Sequence, residues 1–214
     1  MKIKAVILDL DGTLFDSVGG IAYSLNKVLK ENSLPTHEVD TVKTFVGNGI
    51  KKLVFRALPS TYRDYTTLEY FYRQMLDTYK THWDYDFKFY EGMEDLLKEL
   101  NERNIKIAVN TNKDHNITEE IAKKYLSKWD IKYIIGDRKD IAKKPDPKGA
   151  QIIMEKLEVS PSECLFVGDS EVDVETAHNA NIKAIAVTWG FRDREMLQKA
   201  DALIEHPMEL LQYL

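Results

Sequence analysis

At 214 residues the chain is long for one compact domain and short for two large ones; 43% hydrophobic and 30% charged residues are ordinary for a globular protein with a sizeable core. A net charge of −5 leaves no basic footprint, which sets nucleic acid aside as a partner, and it draws no anion from a distance. The one cysteine, Cys164, excludes an internal disulfide; inside the apolar run Cys164-Leu165-Phe166-Val167 it reads as a buried, inert thiol. No apolar stretch approaches the length of a membrane span, and Met1-Lys2-Ile3-Lys4 runs straight into the first strand with no room for a signal peptide, so the cytoplasm is the expected compartment.

Ala5-Val6-Ile7-Leu8 has no polar alternation and predicts a short strand buried on both faces. It runs into Asp9-Leu10-Asp11-Gly12-Thr13. Open parallel sheets bind ligands outside the carboxyl ends of their strands, so Asp9 and Asp11 stand where the chemistry of such folds sits. Gly12 lets the backbone turn tightly and approach a ligand closely. Two carboxylates so placed could hold a hard cation, attack phosphorus, or move the proton of a leaving group. A strand end followed by an Asp-Gly turn is the plain alternative.

From Ser17 the pattern becomes helical. Ile21, Leu25, Val28 and Leu29 share one face; Leu34-Pro35 breaks it, with Thr36 a candidate cap for the next helix. Val39, Val42 and Phe45 continue the pattern up to a sharp loop at Gly47-Asn48-Gly49; Ile50, Leu53, Val54 and Leu58 follow, then Leu68, Phe71, Met75, Leu76 and Tyr79. No strand is expected before about Asp84, and Asp84 to Lys88 is the expected return hinge.

Beyond Tyr90 strands and helices alternate. A helix through Met93, Leu96, Leu97 and Leu100 leads to the strand Ile105–Val109; a helix through Ile117 and Ile121 leads to Tyr133-Ile134-Ile135. A helix from Lys148 leads to Cys164–Val167, a short helix with Val172, Val174 and Ala177 to Ala184–Val187, and a weaker strand lies near Ala202–Ile204. Such alternation implies an α/β fold, a Rossmann-like parallel sheet with helices on both faces. The helical block is too long for a loop and reads as an inserted α-helical cap, giving a core of residues 1–16 and 85–214 and a cap of residues 17–84.

Three later stretches carry chemistry. In Val109-Asn110-Thr111-Asn112-Lys113 a hydroxyl and an amide at a strand end could bond a phosphate oxygen, or merely cap a helix. In Lys143-Lys144-Pro145-Asp146-Pro147 a lysine held before proline could set its ammonium against phosphate and carboxylate, or belong to a solvated turn before a helix. Val167-Gly168-Asp169-Ser170-Glu171-Val172-Asp173 repeats the opening logic: apolar strand, carboxylate, helix. Asp169 and Asp173 beside Asp9 and Asp11 would repel unless they share a cation, and magnesium, which takes few protein oxygens, suits such a site. Acidic residues favoured by a helix dipole are the alternative, and they account for Glu171.

Asp9-x-Asp11-Gly12-Thr13-Leu14-x-Asp16, Thr111-Asn112-Lys113, Lys144-Pro145-x-Pro147 and Gly168-Asp169-x-x-x-Asp173 together resemble the four motifs of the haloacid dehalogenase-like hydrolase superfamily, in order, and its phosphoglycolate phosphatase-like branch in particular. Tyr90-x-Gly92 and Val187-Thr188-Trp189-Gly190-Phe191 fit as well. Glu91 departs from the usual proline, and Asn181 from a glycine that ends a helix, where Asn keeps the left-handed geometry.

The resemblance implies Mg2+-dependent hydrolysis of a small phosphorylated metabolite by a monomer or homodimer. It makes Asp9 the nucleophile and Asp11 the acid and base. Thr111 and Lys144 would stabilise the phosphoryl group, with Gly12, Thr13 and Asn112 lining its site. Asp9, the carbonyl of Asp11, Asp169 and Asp173 would hold the metal. Val46-Gly47-Asn48-Gly49 resembles the branch's cap loop, and nearby Lys51, Lys52 and Arg56 could meet a substrate carboxylate, or be solvated like most basic residues on a helix. A β-phosphoglucomutase-like transferase, a pyrophosphatase or nucleotidase of the same superfamily, a receiver-like signalling module and an inactive phosphate-binding relative are the competing implications.

Overall fold

A computed structural model describes residues 2–47 and 49–214. Met1 and Asn48, the latter in the expected Gly47-Asn48-Gly49 loop, lie outside the described residues. The chain forms two compact units, Met1–Phe15 with Phe89–Leu214, and Asp16–Lys88.

The first unit starts with β1 (Ala5–Leu8), in which all four side chains are buried. A two-residue strand, β2 (Phe15–Asp16), closes the turn after it. The second unit is helical: α1 (Val18–Glu31), α2 (Val39–Phe45), α3 (Ile50–Ala57) and α4 (Tyr65–His82). Its buried residues, among them Leu25, Val28, Leu29, Val42, Leu53, Val54, Phe71, Met75 and Tyr79, recur at the spacing of one helix face. Thr36 is not the cap of α2. His37 exchanges two hydrogen bonds with the Asn26 side chain (2.7 and 2.9 Å) and its Nε2 meets the Ala57 carbonyl at 2.8 Å. The chain is therefore pinned in extended form, and the helix begins after Glu38. Trp83 and Phe87, buried and in edge contact at 5.5 Å, keep the segment beyond α4 with the helical unit as far as Lys88.

A second short strand, β3 (Lys88–Phe89), pairs with β2; the first unit resumes at Phe89, whose ring packs 4.2 Å from that of Phe15. There follow α5 (Met93–Glu102), β4 (Lys106–Asp114), α6 (His115–Ile121), β5 (Ile131–Asp137), α7 (Lys148–Leu157), β6 (Cys164–Gly168), α8 (Glu171–Asn179), β7 (Lys183–Val187) and β8 (Ala202–Ile204). The large sheet is parallel throughout, in the order β5-β4-β1-β6-β7-β8, which is the expected Rossmann-like α/β fold. Asn181 takes the left-handed φ of 58° that a helix end asks of it.

Two features of the sheet place the site. Leu8 is level with Val109 of β4 and Val167 of β6, so Asp9, Asn110 and Gly168 come next to one another where three strands meet. From β1 the sheet continues in sequence to β4 on one side, and from the adjacent β6 to β7 on the other, so the topological switch point lies between β1 and β6. In addition, β4 does not stop at Val109. It runs on to Asp114, and Asp114, not Thr111 or Asn112, caps α6 by accepting from the amides of Asn116 and Ile117. Thr111 and Lys113 therefore share one face of an extended strand, and both are buried.

Candidate active site

Asp9, Asp11, Thr111, Lys113, Lys144, Asp169 and Asp173 all belong to the first unit. Asp9 directly follows β1, its amide donating to the Val167 carbonyl at 2.9 Å. Asp11 sits two residues on, in a turn closed by the Gly12 amide on the Phe15 carbonyl and by Leu14 and Phe15 amides on the Leu10 carbonyl. Thr13 is fully buried, and its carbonyl accepts from Trp189 Nε1 at 3.1 Å.

Two buried lysines meet these carboxylates. Lys144 Nζ lies 2.8 Å from Asp9 Oδ1 and 2.6 Å from Asp173 Oδ1. Lys113 Nζ donates to both oxygens of Asp11, at 2.9 and 3.2 Å. The Lys144 main chain is tied to β4 by the Asn112 amide, which donates to its carbonyl at 3.0 Å. Thr111 is buried, and its hydroxyl accepts from the Lys113 amide. Asp173 has both oxygens engaged: Oδ1 by Lys144, and Oδ2 by the amide (3.0 Å) and hydroxyl (2.6 Å) of Ser170. Asp169 Oδ2 accepts from the Phe191 amide at 2.7 Å.

The approach of backbone to carboxylate is close enough to require glycine twice. Gly12 has φ 82°, and a Cβ there would lie 2.3 Å from Asp169 Oδ2. A Cβ on Gly190 would lie 2.2 Å from Asp169 Cβ and 2.5 Å from the Gly12 carbonyl oxygen. Gly190→Ala is expected to weaken Mg2+ binding about 10- to 100-fold, the usual consequence of disturbing what orients a metal ligand. Calorimetric titration of the folded variant checks this, and unchanged affinity contradicts it.

The site carries excess negative charge. Burial pushes the Asp9 carboxyl up to about 7, against the pull of Lys144 and with the help of Asp173. Burial, Asp173 and Asp9 push Asp169 well above the ordinary carboxylate range. Burial would lower Lys144, yet Asp173 and Asp9 hold it above the usual lysine range. Asp9, Asp169 and Asp173 each offer an oxygen within 4.8 Å of the others, all buried. Three buried carboxylates against one ammonium, with only oxygen donors, fit a hard divalent cation. Lys144 and Ser170 already engage both oxygens of Asp173.

A pH dependence follows from the raised groups. Between the ordinary carboxylate pKa and about 7 the folded protein keeps a proton on Asp9 that the unfolded chain has released, so these groups make stability fall as pH rises through that window. Asp169 acts in the same direction. A bound cation offsets the repulsion. The rise in Tm on adding Mg2+ is therefore expected to be larger at about pH 8 than at about pH 5.5. Thermal unfolding with and without EDTA measures it; an equal rise at both pH values, or none, contradicts it.

The helical unit holds the other sequence candidates. Lys51 is ion-paired with Glu69 and lies over the rings of Tyr65 and Tyr72 at 5.4 and 5.8 Å. Arg56 donates to the Phe45 carbonyl at 2.8 Å, Lys52 is exposed, and Gly47 has φ 114°. Sequence reasoning passed over Lys113, Ser170 and the Phe191 amide. For Lys113 the signal is strand alternation, which puts it on the face of Thr111 once β4 is known to continue. The Ser170–Asp173 capping box was legible as Ser-x-x-Asp at a helix start. Phe191 had no signal, because a backbone amide has no residue type. Cys164 is buried, and burial pushes its thiol up to about 12, in keeping with an inert residue.

The strand ends of a parallel α/β sheet thus gather four carboxylates and two lysines at the switch point. The chain belongs to the haloacid dehalogenase-like hydrolase family, whose model matches residues 6–187. It is similar to a phosphoglycolate phosphatase of Pseudomonas syringae pv. tomato, 32% identical over 191 residues that cover 88% of this chain and 70% of that protein. It is also similar to an N-acetylmuramic acid 6-phosphate phosphatase of Pseudomonas aeruginosa, 27% identical over 217 residues, covering 100% and 96%. Among solved structures, a predicted phosphoglycolate phosphatase from Haemophilus somnus superposes with a TM-score of 0.90 at 26% identity, covering 100% of this chain and 98% of that one. The protein is thus an enzyme, a hydrolase of this family. No described helix is long and apolar enough to cross a membrane.

Proposed function

We propose that the enzyme hydrolyses a small phosphomonoester, of which phosphoglycolate is the first candidate, through an aspartyl phosphate on Asp9. The observation that carries this reading is the pairing of Asp9 with Lys144 beside Asp169, at the end of the strand that places Asp11 two residues on. Asp9 and Asp169, with the Asp11 carbonyl, would hold Mg2+, which when bound supplies charge neutralisation to the phosphoryl oxygens.

An Asp9 carboxylate oxygen attacks phosphorus as the bond to the alcohol oxygen breaks, and Asp11 gives that oxygen a proton. Asp11 then takes a proton from a water whose oxygen attacks phosphorus; the bond to Asp9 breaks, leaving inorganic phosphate and the free carboxylate. Lys144 and Thr111 steady the phosphoryl oxygens, where charge is spread during transfer. Gly12, Thr13 and Asn112 line the phosphoryl site, Thr13 through its backbone and Asn112 through Lys144. Asp173 fixes Lys144. The helical unit has the role of a substrate-selecting cap, with Gly47, Lys51, Lys52 and Arg56 as its candidate residues. The setting is cytoplasmic, with the enzyme acting as a monomer or homodimer.

Phosphate release from a panel including phosphoglycolate, a sugar phosphate, β-glucose 1-phosphate, a nucleotide and pyrophosphate tests the reading. Turnover of a small monoester that stops with EDTA supports it. Folded, Mg2+-loaded protein that releases no phosphate from any of them overturns it.

A further inference from the structure

Among the described residues only two lysines are buried, Lys144 and Lys113. The mechanism above uses the first, on the Asp9 side. The second enters it only through Asp11, which it holds, and is given no contact with substrate. Lys113 has a side chain only 3% exposed and grips Asp11 through both carboxylate oxygens. Burying an ammonium is costly, so a buried lysine at a reaction site calls for an explanation.

Asp11 acts on the oxygen of the departing alcohol, so that alcohol must lie against the Asp11 carboxylate. An alcohol that itself carries an anion meets a like charge there. Lys113, 2.9 Å from Asp11 Oδ1, supplies the opposite charge at that place. In a 2-phosphooxy carboxylic acid the carboxylate is attached to the carbon that bears the leaving oxygen, so the anion falls within one side chain's reach of Asp11 and therefore of Lys113. In the helical unit Lys51 is paired with Glu69 and Arg56 donates to the Phe45 carbonyl, while Lys52 is exposed.

We propose that Lys113 is a specificity-determining residue that pairs with an anionic group on the leaving alcohol and so selects phosphorylated short hydroxy acids. The proposal rests on the phosphatase reading. It extends that reading to the last residue of the Thr111-Asn112-Lys113 motif and adds a first-unit residue to those that meet the anion.

The test compares kcat/KM for phosphoglycolate and for 2-hydroxyethyl phosphate, which has a neutral hydroxymethyl group in place of the carboxylate, in the wild type, Lys113→Gln and Lys113→Arg. The ratio of the two substrates is the readout, since a purely structural defect lowers both alike. The wild type is expected to prefer the acid about 100-fold, Lys113→Gln to lose that preference while turning over both substrates more slowly because Asp11 loses its partner, and Lys113→Arg to keep at least about a tenth of the preference. A wild-type ratio near one overturns the proposal even if Lys113→Gln does not fold, and so does a ratio that Lys113→Gln leaves unchanged. Wild-type protein that releases phosphate from the panel but shows either result leaves the phosphatase reading standing; wild-type protein that releases none removes both.

Discussion

Asp9→Asn is expected to lower kcat for phosphate release by about 10⁴-fold or more, the scale of loss when a covalent nucleophile is removed. An amide oxygen is a poor nucleophile toward phosphorus, and Asn at this position gives Asp11, Thr111 and Lys144 nothing to work on. The fold is not expected to suffer. Asp9 is one of three mutually repelling buried carboxylates, burial holds it toward its protonated form, and Lys144 keeps its second partner, Asp173. The metal-free variant should melt at or above the wild-type temperature. Steady-state kinetics with thermal unfolding separates the two effects; a variant that is folded and retains more than about a hundredth of the wild-type kcat would sink Asp9 as nucleophile.

Lys144→Met has the opposite signature, losing stability as well as rate. Its ammonium is within 2.8 Å of Asp9 and 2.6 Å of Asp173, and all three side chains are buried. Removing one partner of a buried ionic group leaves the others uncompensated, at a cost of about 3–5 kcal/mol. The rate should fall about 100- to 1000-fold with it, as for loss of one preorganised charge at a transferring group. Added Mg2+ should recover part of the stability and none of the missing contact to the phosphoryl oxygens. Denaturant unfolding and kcat at saturating Mg2+ measure the two losses. A variant as stable as the wild type would mean that the Lys144 pairs contribute nothing net.

The sheet was legible because its strands are short apolar runs. Ala5–Leu8, Cys164–Val167 and Ala184–Val187 leave no choice but burial on both faces, and their order along the chain dictates a parallel arrangement. The strand ends were legible for the same reason, since Asp9 and Asp169 are the first charges after such runs. What escaped was structure made by polar residues. Beyond Val109 the strand continues through Asn-Thr-Asn-Lys-Asp, which no hydrophobic pattern marks; the neighbouring strand, paired through a register shift, carries it on. Lys113 was hidden with it. The start of α2 was missed because the tertiary bonds of His37 to Asn26 and Ala57 override a local capping signal at Thr36. The double engagement of Asp173 could not be read from spacing, which says that two carboxylates are near but not which atoms of each are already taken.

The most direct test of the central claim is rapid acid quench during turnover of the best substrate in Mg2+, followed by mass mapping of the peptides. One phosphoryl group on the peptide containing Asp9, absent with EDTA, is the expected result. A phosphoryl group on any other residue, or a burst of phosphate equal to the burst of alcohol with Asp9 unlabelled throughout, would contradict it.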